Sequence, residues 1–191
     1  MFLFEIHLTI KLPIENLPKF TNFCTSKDYK PILIELARGS HQVQPMLTKI
    51  CKSQTLQEAL SMSHHISQEL ALEKFEVCRT KIEIPANQAI LFHEKPTTSV
   101  YYEWHGKVNY KSPEVLEHIC TQHHAHLSIN SLKNESDRRF ITIREYTHYS
   151  LFLERVEDLK INLKAHNFLC SKEQFEYCVH DSHIILDTGW L

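Results

Sequence analysis

Hydrophobic and polar residues alternate along residues 2–11. Ile6 and the other even-numbered residues are apolar, whereas Glu5, His7 and Thr9 are polar. Successive side chains of a β-strand point to opposite faces, so this pattern predicts a strand with one buried and one polar face.

A second strand of the same kind is predicted at residues 101–110, with Glu103 and His105 on its polar face. The periodicities around these two strands give the order strand, helix, strand, strand, helix, strand, and they give it twice. Residues 73–78 and 173–178 match at four of six positions. Together these features predict an internal duplication.

The predicted fold is an α+β protein with a tandem duplication of a ferredoxin-like βαββαβ unit. Residues 1–86 form the first half, residues 87–99 a linker, and residues 100–191 the second half. Right-handed connections place both helices of such a unit on one face of its sheet, which leaves the other face open. A single half would be too small to be stable. We therefore expect the two antiparallel sheets to form a shared polar cleft within one compact, two-lobed domain.

The composition favours a small soluble protein of a reducing compartment. The net charge of -2 over 191 residues gives no reason to expect nucleic acid or a membrane as a partner. Six cysteines without a Cys-x-x-Cys pair favour free thiols and a cytoplasmic location. Three glycines nearly exclude a Gly-rich phosphate loop, and 14 histidines make accidental histidine pairs easy to find.

The predicted cleft brings polar rows from both halves together. Carboxylates, imidazoles and cations in a partly closed space perturb each other's protonation, which is a condition for acid–base chemistry and for anion binding. Such a row can equally be the solvated face of a sheet. The candidates for proton transfer are His7, His105 and His126. The candidates for substrate binding are Thr9, Arg79, Lys81, Lys107, Ser128 and Arg144, and the supporting carboxylates are Glu5, Glu83, Glu103 and Asp181.

Residues 7–9 and 126–128 both fit a His-x-Thr/Ser pattern. The pattern and the paired lobes resemble the two-histidine phosphoesterase superfamily. That resemblance implies a general base, a general acid and two phosphate-binding hydroxyls, and these roles fall on His7, His126, Thr9 and Ser128. It also implies a phosphodiester or a cyclic phosphate as the substrate.

A histidine on the first strand of each half also resembles the vicinal oxygen chelate enzymes. That resemblance implies a divalent metal with His7, His105 and Glu103 as ligands. The residues themselves predict no cofactor, although imidazole and carboxylate ligands would suit zinc, iron, nickel or manganese. Glu5 and His7 lie about 7 Å apart along a strand that rises about 3.3 Å per residue, so they are poorly placed to share one ion.

We therefore predict a histidine acid–base enzyme, a hydrolase of the phosphoesterase kind, acting on a phosphorylated or other small anionic substrate. The alternatives are a metal-dependent enzyme and a non-catalytic module for ligand binding or interaction. Residues 186–191 either pack across the lobes or a dimer partner, or close over the cleft. A homodimer remains an open alternative.

Overall fold

The computed structural model describes residues 1–92, 100–133 and 135–190. The strands are β1 (Phe2–Lys11), β2 (Lys30–Leu36), β3 (Val43–Ser53), β4 (Glu76–Pro85), β5 (Tyr101–Asn109), β6 (His126–Asn130), β7 (Arg138–Glu145) and β8 (Ser171–Asp181). The α-helices are α1 (Leu17–Ser26), α2 (Leu56–Leu72), α3 (Pro113–Gln122) and α4 (Tyr149–Ala165). Short 3-10 helices occupy Ile14–Asn16, Ala86–Leu91 and Ile184–Asp187.

The strands form one closed antiparallel barrel in the order β1-β3-β2-β6-β7-β5-β8-β4. The helices pack on the outside of this barrel. The prediction of two open sheets that face each other across a cleft was therefore wrong, and the polar faces of the strands enclose a lumen instead.

Two seams close the barrel. β2 pairs with β6, where Ile34 lies opposite Asn130, and β4 pairs with β8, where Lys81 lies opposite Asp181. In two separate sheets these four strands would be edges, and an unpaired edge leaves a row of backbone donors and acceptors without partners. Pairing the edges with each other satisfies these groups, which is the physical reason for a single barrel.

The closed barrel also corrects the descriptions ferredoxin-like, internal duplication and α+β. They implied two self-contained sheets, whereas one sheet runs around the whole barrel. Strands and helices do follow each other along the chain in the predicted order, but that order leaves the pairing of the edges open. The predicted linker, residues 87–99, overlaps the 3-10 helix Ala86–Leu91, and residues 93–99 lie outside the described part of the chain. The predicted boundaries between the halves remain a prediction.

The hydrophobic core lies between the barrel and the helices. In β1, Phe4, Ile6 and Leu8 are fully buried against α1 and α2, as the alternation predicted. A second cluster surrounds Trp104, between the barrel and helices α3 and α4. Because the apolar side of these strands faces the helices, the polar side faces the lumen.

Local signals explain where the helices begin. The hydroxyl of Thr55 accepts a hydrogen bond from the backbone N–H of Glu58 and so caps α2. Pro113 is the first residue of α3, a position where its missing N–H costs nothing. None of the described helices is long and apolar enough to cross a membrane.

The directions of the strands give the barrel two different ends. At the end that we call the mouth, β2 and β8 begin and β6 ends. At the opposite end, which we call the closed end, β2 and β8 finish and residues 184–190 follow. These residues are called the C-terminal segment below.

Candidate functional site

A cavity of about 250 Å³ lies inside the barrel. Strands β2, β3 and β7 give it an apolar wall of Ile32, Ile34, Leu36, Met46 and Phe140. Its other walls carry polar and charged groups, which include Glu5, His7, Thr9, Arg79, Lys81, Glu83, Glu103, His105, Ser128, Arg144 and Glu176. An apolar lining with a limited set of polar groups is typical of cavities that bind small molecules. The lumen is therefore the candidate site.

Most of the sequence-predicted site residues line this cavity. Among the described residues, three predicted ones do not line it, namely Lys107, His126 and Asp181. Lys107 forms an ion pair with Glu135 instead. The lumen thus brings His7 and His105 together with the predicted cations, while His126 stands apart.

His7 on β1 is held by residues from both neighbouring strands. Its Nδ1 lies 2.9 Å from the hydroxyl of Thr48, and its Nε2 lies 3.2 Å from a carboxylate oxygen of Glu83 and 3.7 Å from one of Glu5. In the sheet, Thr48 lies opposite His7, and Glu83 lies opposite Glu5. The register of three strands therefore fixes the orientation of this imidazole.

His105 on β5 has a matching set of neighbours. Its Nδ1 lies 2.8 Å from the hydroxyl of Thr142, and its Nε2 lies 2.7 Å from Glu103 and 3.5 Å from Glu176. Each histidine thus contacts one threonine and two glutamates. The threonine holds Nδ1, so Nε2 is the nitrogen directed at the carboxylates.

The predicted anion-binding cations already have carboxylate partners. Lys81 lies 2.5 Å from Glu103 and 2.8 Å from Glu83, and Arg144 also donates to Glu103. Burial opposes the ionisation of Glu103, but Arg144 and then Lys81 outweigh it and hold the pKa of this carboxyl well below its usual range. An anion that reaches these cations must compete with the protein's own carboxylates.

Arg79 is paired in the same way at the closed end. It forms two hydrogen bonds to Asp181, of 2.9 Å from Nε and 2.5 Å from Nη2. Burial raises the pKa of Asp181, but the hydrogen bond and charge of Arg79 dominate and lower it to about 2. Tyr101 donates a third hydrogen bond to this carboxylate, at 2.8 Å. Asp181 is thus a structural partner of Arg79.

Glu176 is the main site residue that the sequence did not predict. Burial and the nearby carboxylate of Glu83 raise its pKa well above the usual range. Strict alternation along β8 would put Tyr177 and Asp181 on one face and Glu176 on the other. Residues five positions apart in a regular strand point to opposite faces. A register shift between β4 and β8 interrupts the alternation, so that Glu176 and Asp181 both point to the inside of the barrel. The polar Gln174 and Glu176, which alternate with aromatic neighbours, were the available signal.

The C-terminal segment covers the closed end of the barrel. The carboxylate of Asp187 lies 2.9 Å from Arg79 Nη1 and 2.8 Å from Arg144 Nη1, and it accepts a hydrogen bond of 3.1 Å from Gln44. Of the two roles considered for residues 186–191, the described part of this stretch therefore closes over the polar site. Leu191 lies outside the described residues.

His126 lies beside the C-terminal segment. Its Nδ1 is 3.0 Å from Arg38 Nη2, and its ring packs on Trp190 with 4.8 Å between ring centroids. Burial, together with the charge of Arg38, lowers its pKa to about 4. The neutral imidazole is therefore the dominant form at neutral pH. Ser128, the hydroxyl of the same predicted pattern, does line the cavity.

Three lysines line the cavity near the mouth. Among the described residues, Lys30, Lys133 and Lys172 form no direct ion pair with a carboxylate. Glu135 pairs with Lys107 instead. Burial and the charge of Lys30 lower the pKa of Lys133, the carboxylate of Glu135 opposes this, and Lys107 and Lys172 lower the pKa further. The three lysines thus form a cationic group at the mouth, and the carboxylate of Glu135 lies close enough to interact with Lys133 and Lys172.

One group of side chains in the lumen has the composition of a metal site. Glu103, His105 and Glu176 each offer a ligand atom, and these atoms lie within 4.8 Å of one another. Glu176 thus replaces His7 in the set that the sequence suggested. However, the oxygen of Glu103 that contacts His105 also contacts the ammonium of Lys81 at 2.5 Å. A divalent ion would have to displace this ammonium or tolerate its charge.

No protein-family model matches the chain, and neither does any curated protein sequence. Among solved structures, one similar chain is described as a novel heme-binding protein from Thermus thermophilus. The similarity covers 93% of this chain and 91% of that chain, at 6% sequence identity and a TM-score of 0.31. A similarity of this size transfers neither the fold nor heme binding to this protein.

Proposed function

We propose that the protein binds a small organic anion inside its barrel. The observation that carries this proposal is the cluster of Lys30, Lys133 and Lys172 at the mouth. Burial and then the charge of Lys30 lower the pKa of Lys133, and Lys172 adds to this effect while Glu135 opposes it, so the like charges of the three lysines repel each other. An anion at the mouth would offset this repulsion, because its negative charge is attracted to the three ammonium groups.

The apolar wall suggests the shape of the rest of the ligand. Ile34, Met46 and Phe140 face the same cavity as the lysines. A ligand with an apolar body could pack on this wall while its anionic group contacts the mouth. The volume of about 250 Å³ lies near the lower end for ligand cavities, which favours a small molecule.

The test is calorimetric titration of the protein with benzoate and phenyl phosphate, with benzamide as the neutral counterpart. We expect the anions to bind and benzamide to bind weakly. The triple variant Lys30→Gln, Lys133→Gln, Lys172→Gln should lose about tenfold or more in affinity, because it removes three positive charges that line the cavity. Added salt should weaken the binding of the anions to the wild type.

A matched control removes three lysines from other parts of the surface. Lys19, Lys27 and Lys160 pair with Glu73, Glu69 and Glu173 outside the cavity. Their replacement by glutamine changes the net charge equally and should leave the affinity nearly unchanged. Equal losses in both triple variants would show a non-specific charge effect and contradict the proposal.

A second candidate is histidine acid–base catalysis on a phosphorylated substrate in the same lumen. Its support is that Nε2 of His105 lies between Glu103 and Glu176, 2.7 Å from the first and 3.5 Å from the second. The two carboxyls have pKa values displaced in opposite directions, a pattern found where one group donates and another accepts a proton.

Turnover of bis(4-nitrophenyl) phosphate and of cyclic nucleotides tests this candidate. His105→Ala and His7→Ala should each reduce kcat by about 100-fold or more, with little change in Tm. His126→Ala is the control and should retain activity, because His126 does not line the cavity. Absence of turnover by the wild type on these substrates would remove the candidate and leave ligand binding.

A further inference from the structure

The C-terminal segment places a carboxylate between two arginines. Oδ2 of Asp187 lies 2.9 Å from Arg79 Nη1 and 2.8 Å from Arg144 Nη1, and Oδ1 accepts from Gln44 at 3.1 Å. Asp187 is only 2% exposed. Two guanidinium groups and an amide that converge on one carboxylate form the arrangement with which proteins bind carboxylate and phosphate ligands.

We propose that Arg79, Arg144 and Gln44 form a second anion-binding site, which Asp187 occupies as an internal ligand. A phosphate-class oxyanion displaces Asp187 and releases the C-terminal segment from the closed end. This site lies at the opposite end of the barrel from the lysine cluster, so it does not depend on the proposed function of the mouth.

The two arginines can lose Asp187 without being left unpaired. Arg79 keeps its two hydrogen bonds to Asp181, and Arg144 keeps its ion pair with Glu103. The exchange of Asp187 for an external anion therefore leaves the local charge balance close to its present value. Strand β8 ends at Asp181, so the barrel keeps all its strands when the segment leaves.

The C-terminal segment lies outside the two hydrophobic clusters of the core. Leu186 and Trp190 are buried, but neither belongs to the two hydrophobic clusters of the core. Trp190 packs on His126 and on the guanidinium of Arg144, whose Cζ is 5.0 Å from the indole ring. The indole N–H of Trp190 has no hydrogen-bond acceptor among the described residues. A segment held in this way can leave without unfolding the protein.

A close backbone approach fixes the segment at one point. Gly189 has φ +80°, and a Cβ added there would lie 3.3 Å from the Cα of Gly39. The residue next to it, Thr188, accepts a hydrogen bond from the backbone N–H of Ser40 at 3.1 Å. Gly189→Ala would strain this contact because side chains rarely adopt that φ. It would loosen the segment without altering Arg79 or Arg144.

The experiment titrates the full chain with inorganic phosphate and records both heat and tryptophan fluorescence. Trp190 should become accessible to acrylamide on binding, whereas Trp104 is fully buried in the core and gives a constant background. Asp187→Asn removes the internal carboxylate and Gly189→Ala weakens its attachment. Both should bind phosphate about tenfold tighter than the wild type, because apparent affinity rises with the fraction of protein in the binding-competent state.

The lysine variant separates this site from the mouth. The gain in Asp187→Asn should persist when Lys30, Lys133 and Lys172 are replaced by glutamine, whatever happens to binding at the mouth. If Asp187→Asn fails to fold, Gly189→Ala still decides the matter. Wild-type affinity in the tested variants, loss of the gain in the lysine background, or unchanged quenching of Trp190 on saturation would each overturn the inference.

Discussion

The ammonium of Lys81 lies 2.5 Å from the carboxylate of Glu103, across two strands that are not neighbours in the barrel. Strand β8 lies between β4, which carries Lys81, and β5, which carries Glu103. The side chains are 11% and 1% exposed. This ion pair therefore joins the two sides of a seam through the lumen, in addition to the backbone hydrogen bonds of the sheet.

Replacement of Lys81 by methionine tests how much this ion pair contributes to the free energy of unfolding. The variant keeps the length of the side chain but leaves Glu83 and Glu103 with one cation fewer. Breaking a buried pair costs about 3–5 kcal/mol, so we expect a loss of about 3 kcal/mol in the free energy of unfolding, measured by urea denaturation. Lys27→Met, which breaks the more exposed pair with Glu69, should cost about 0.5 kcal/mol. Similar losses in both variants would contradict this account.

Lys81 also leads to an expectation about metals. Its ammonium already contacts Oε1 of Glu103, and Arg144 donates to Oε2, so both oxygens of this possible ligand have cationic partners. We therefore expect elemental analysis of tag-free protein to find no stoichiometric transition metal, and chelation to leave Tm unchanged. Lys81→Gln removes the competing charge and should increase the affinity for added zinc by about tenfold or more, as judged by calorimetry. A bound metal in the wild type that is lost together with thermal stability would contradict this expectation.

The raised pKa of Glu176 predicts a pH dependence of stability. A carboxyl with a raised pKa binds its proton more tightly in the folded protein than in the unfolded chain. Its contribution is complete below the ordinary glutamate pKa and is lost as the pH rises towards the folded value. Glu176→Gln cannot ionise, so its stability relative to the wild type should increase as the pH rises above the ordinary glutamate pKa, measured by urea denaturation.

Glu103→Gln is the paired control, because the pKa of Glu103 is lowered in the folded protein. A lowered pKa adds stability that is present above the ordinary glutamate pKa and is lost as the pH falls towards the folded value. The variant should therefore be most destabilised at neutral pH and less so in acid. The same pH trend in Glu103→Gln and Glu176→Gln would show that these environments are misassigned.

Gly106 is required by the packing of Trp104. A Cβ added at Gly106 would lie 2.4 Å from two carbons of the Trp104 ring, which is buried in the second hydrophobic cluster. Gly106→Ala should therefore lower the free energy of unfolding by about 1–3 kcal/mol, as overpacked cores do. Asn109→Ala, at the exposed end of the same strand, should change it little. A stability equal to that of the wild type would mean that the indole moves away at no cost.

The sequence predicted the local pattern of the site well. The alternation in β1 correctly assigned Ile6 to the core and His7 to the polar face. The same reasoning placed Glu103 and His105 on the polar face of β5. Period-two alternation is a property of each strand alone. The assignment of side chains to the two faces of a strand is therefore correct even where the predicted arrangement of the strands is wrong.

The arrangement itself depended on information that one sequence does not carry. Whether β2 and β4 stay as edges or pair with β6 and β8 depends on distant strands. The register shift in β8 changes which side chains face the lumen, and it moved Glu176 into the site. The partners of Lys81 and Arg144 likewise come from other strands, so free cations were expected where ion pairs occur.

The seam between β4 and β8 has a consequence for how the chain folds. The ion pair of Arg79 and Asp181 joins residues that are 102 positions apart, and the backbone pairs beside it span similar distances. Such contacts must overcome the entropy of closing a long loop before they contribute energy. Chains dominated by distant pairings fold slowly. We expect the cavity to form only in the last steps of folding, and a fragment ending before β5 to expose both edge strands and self-associate.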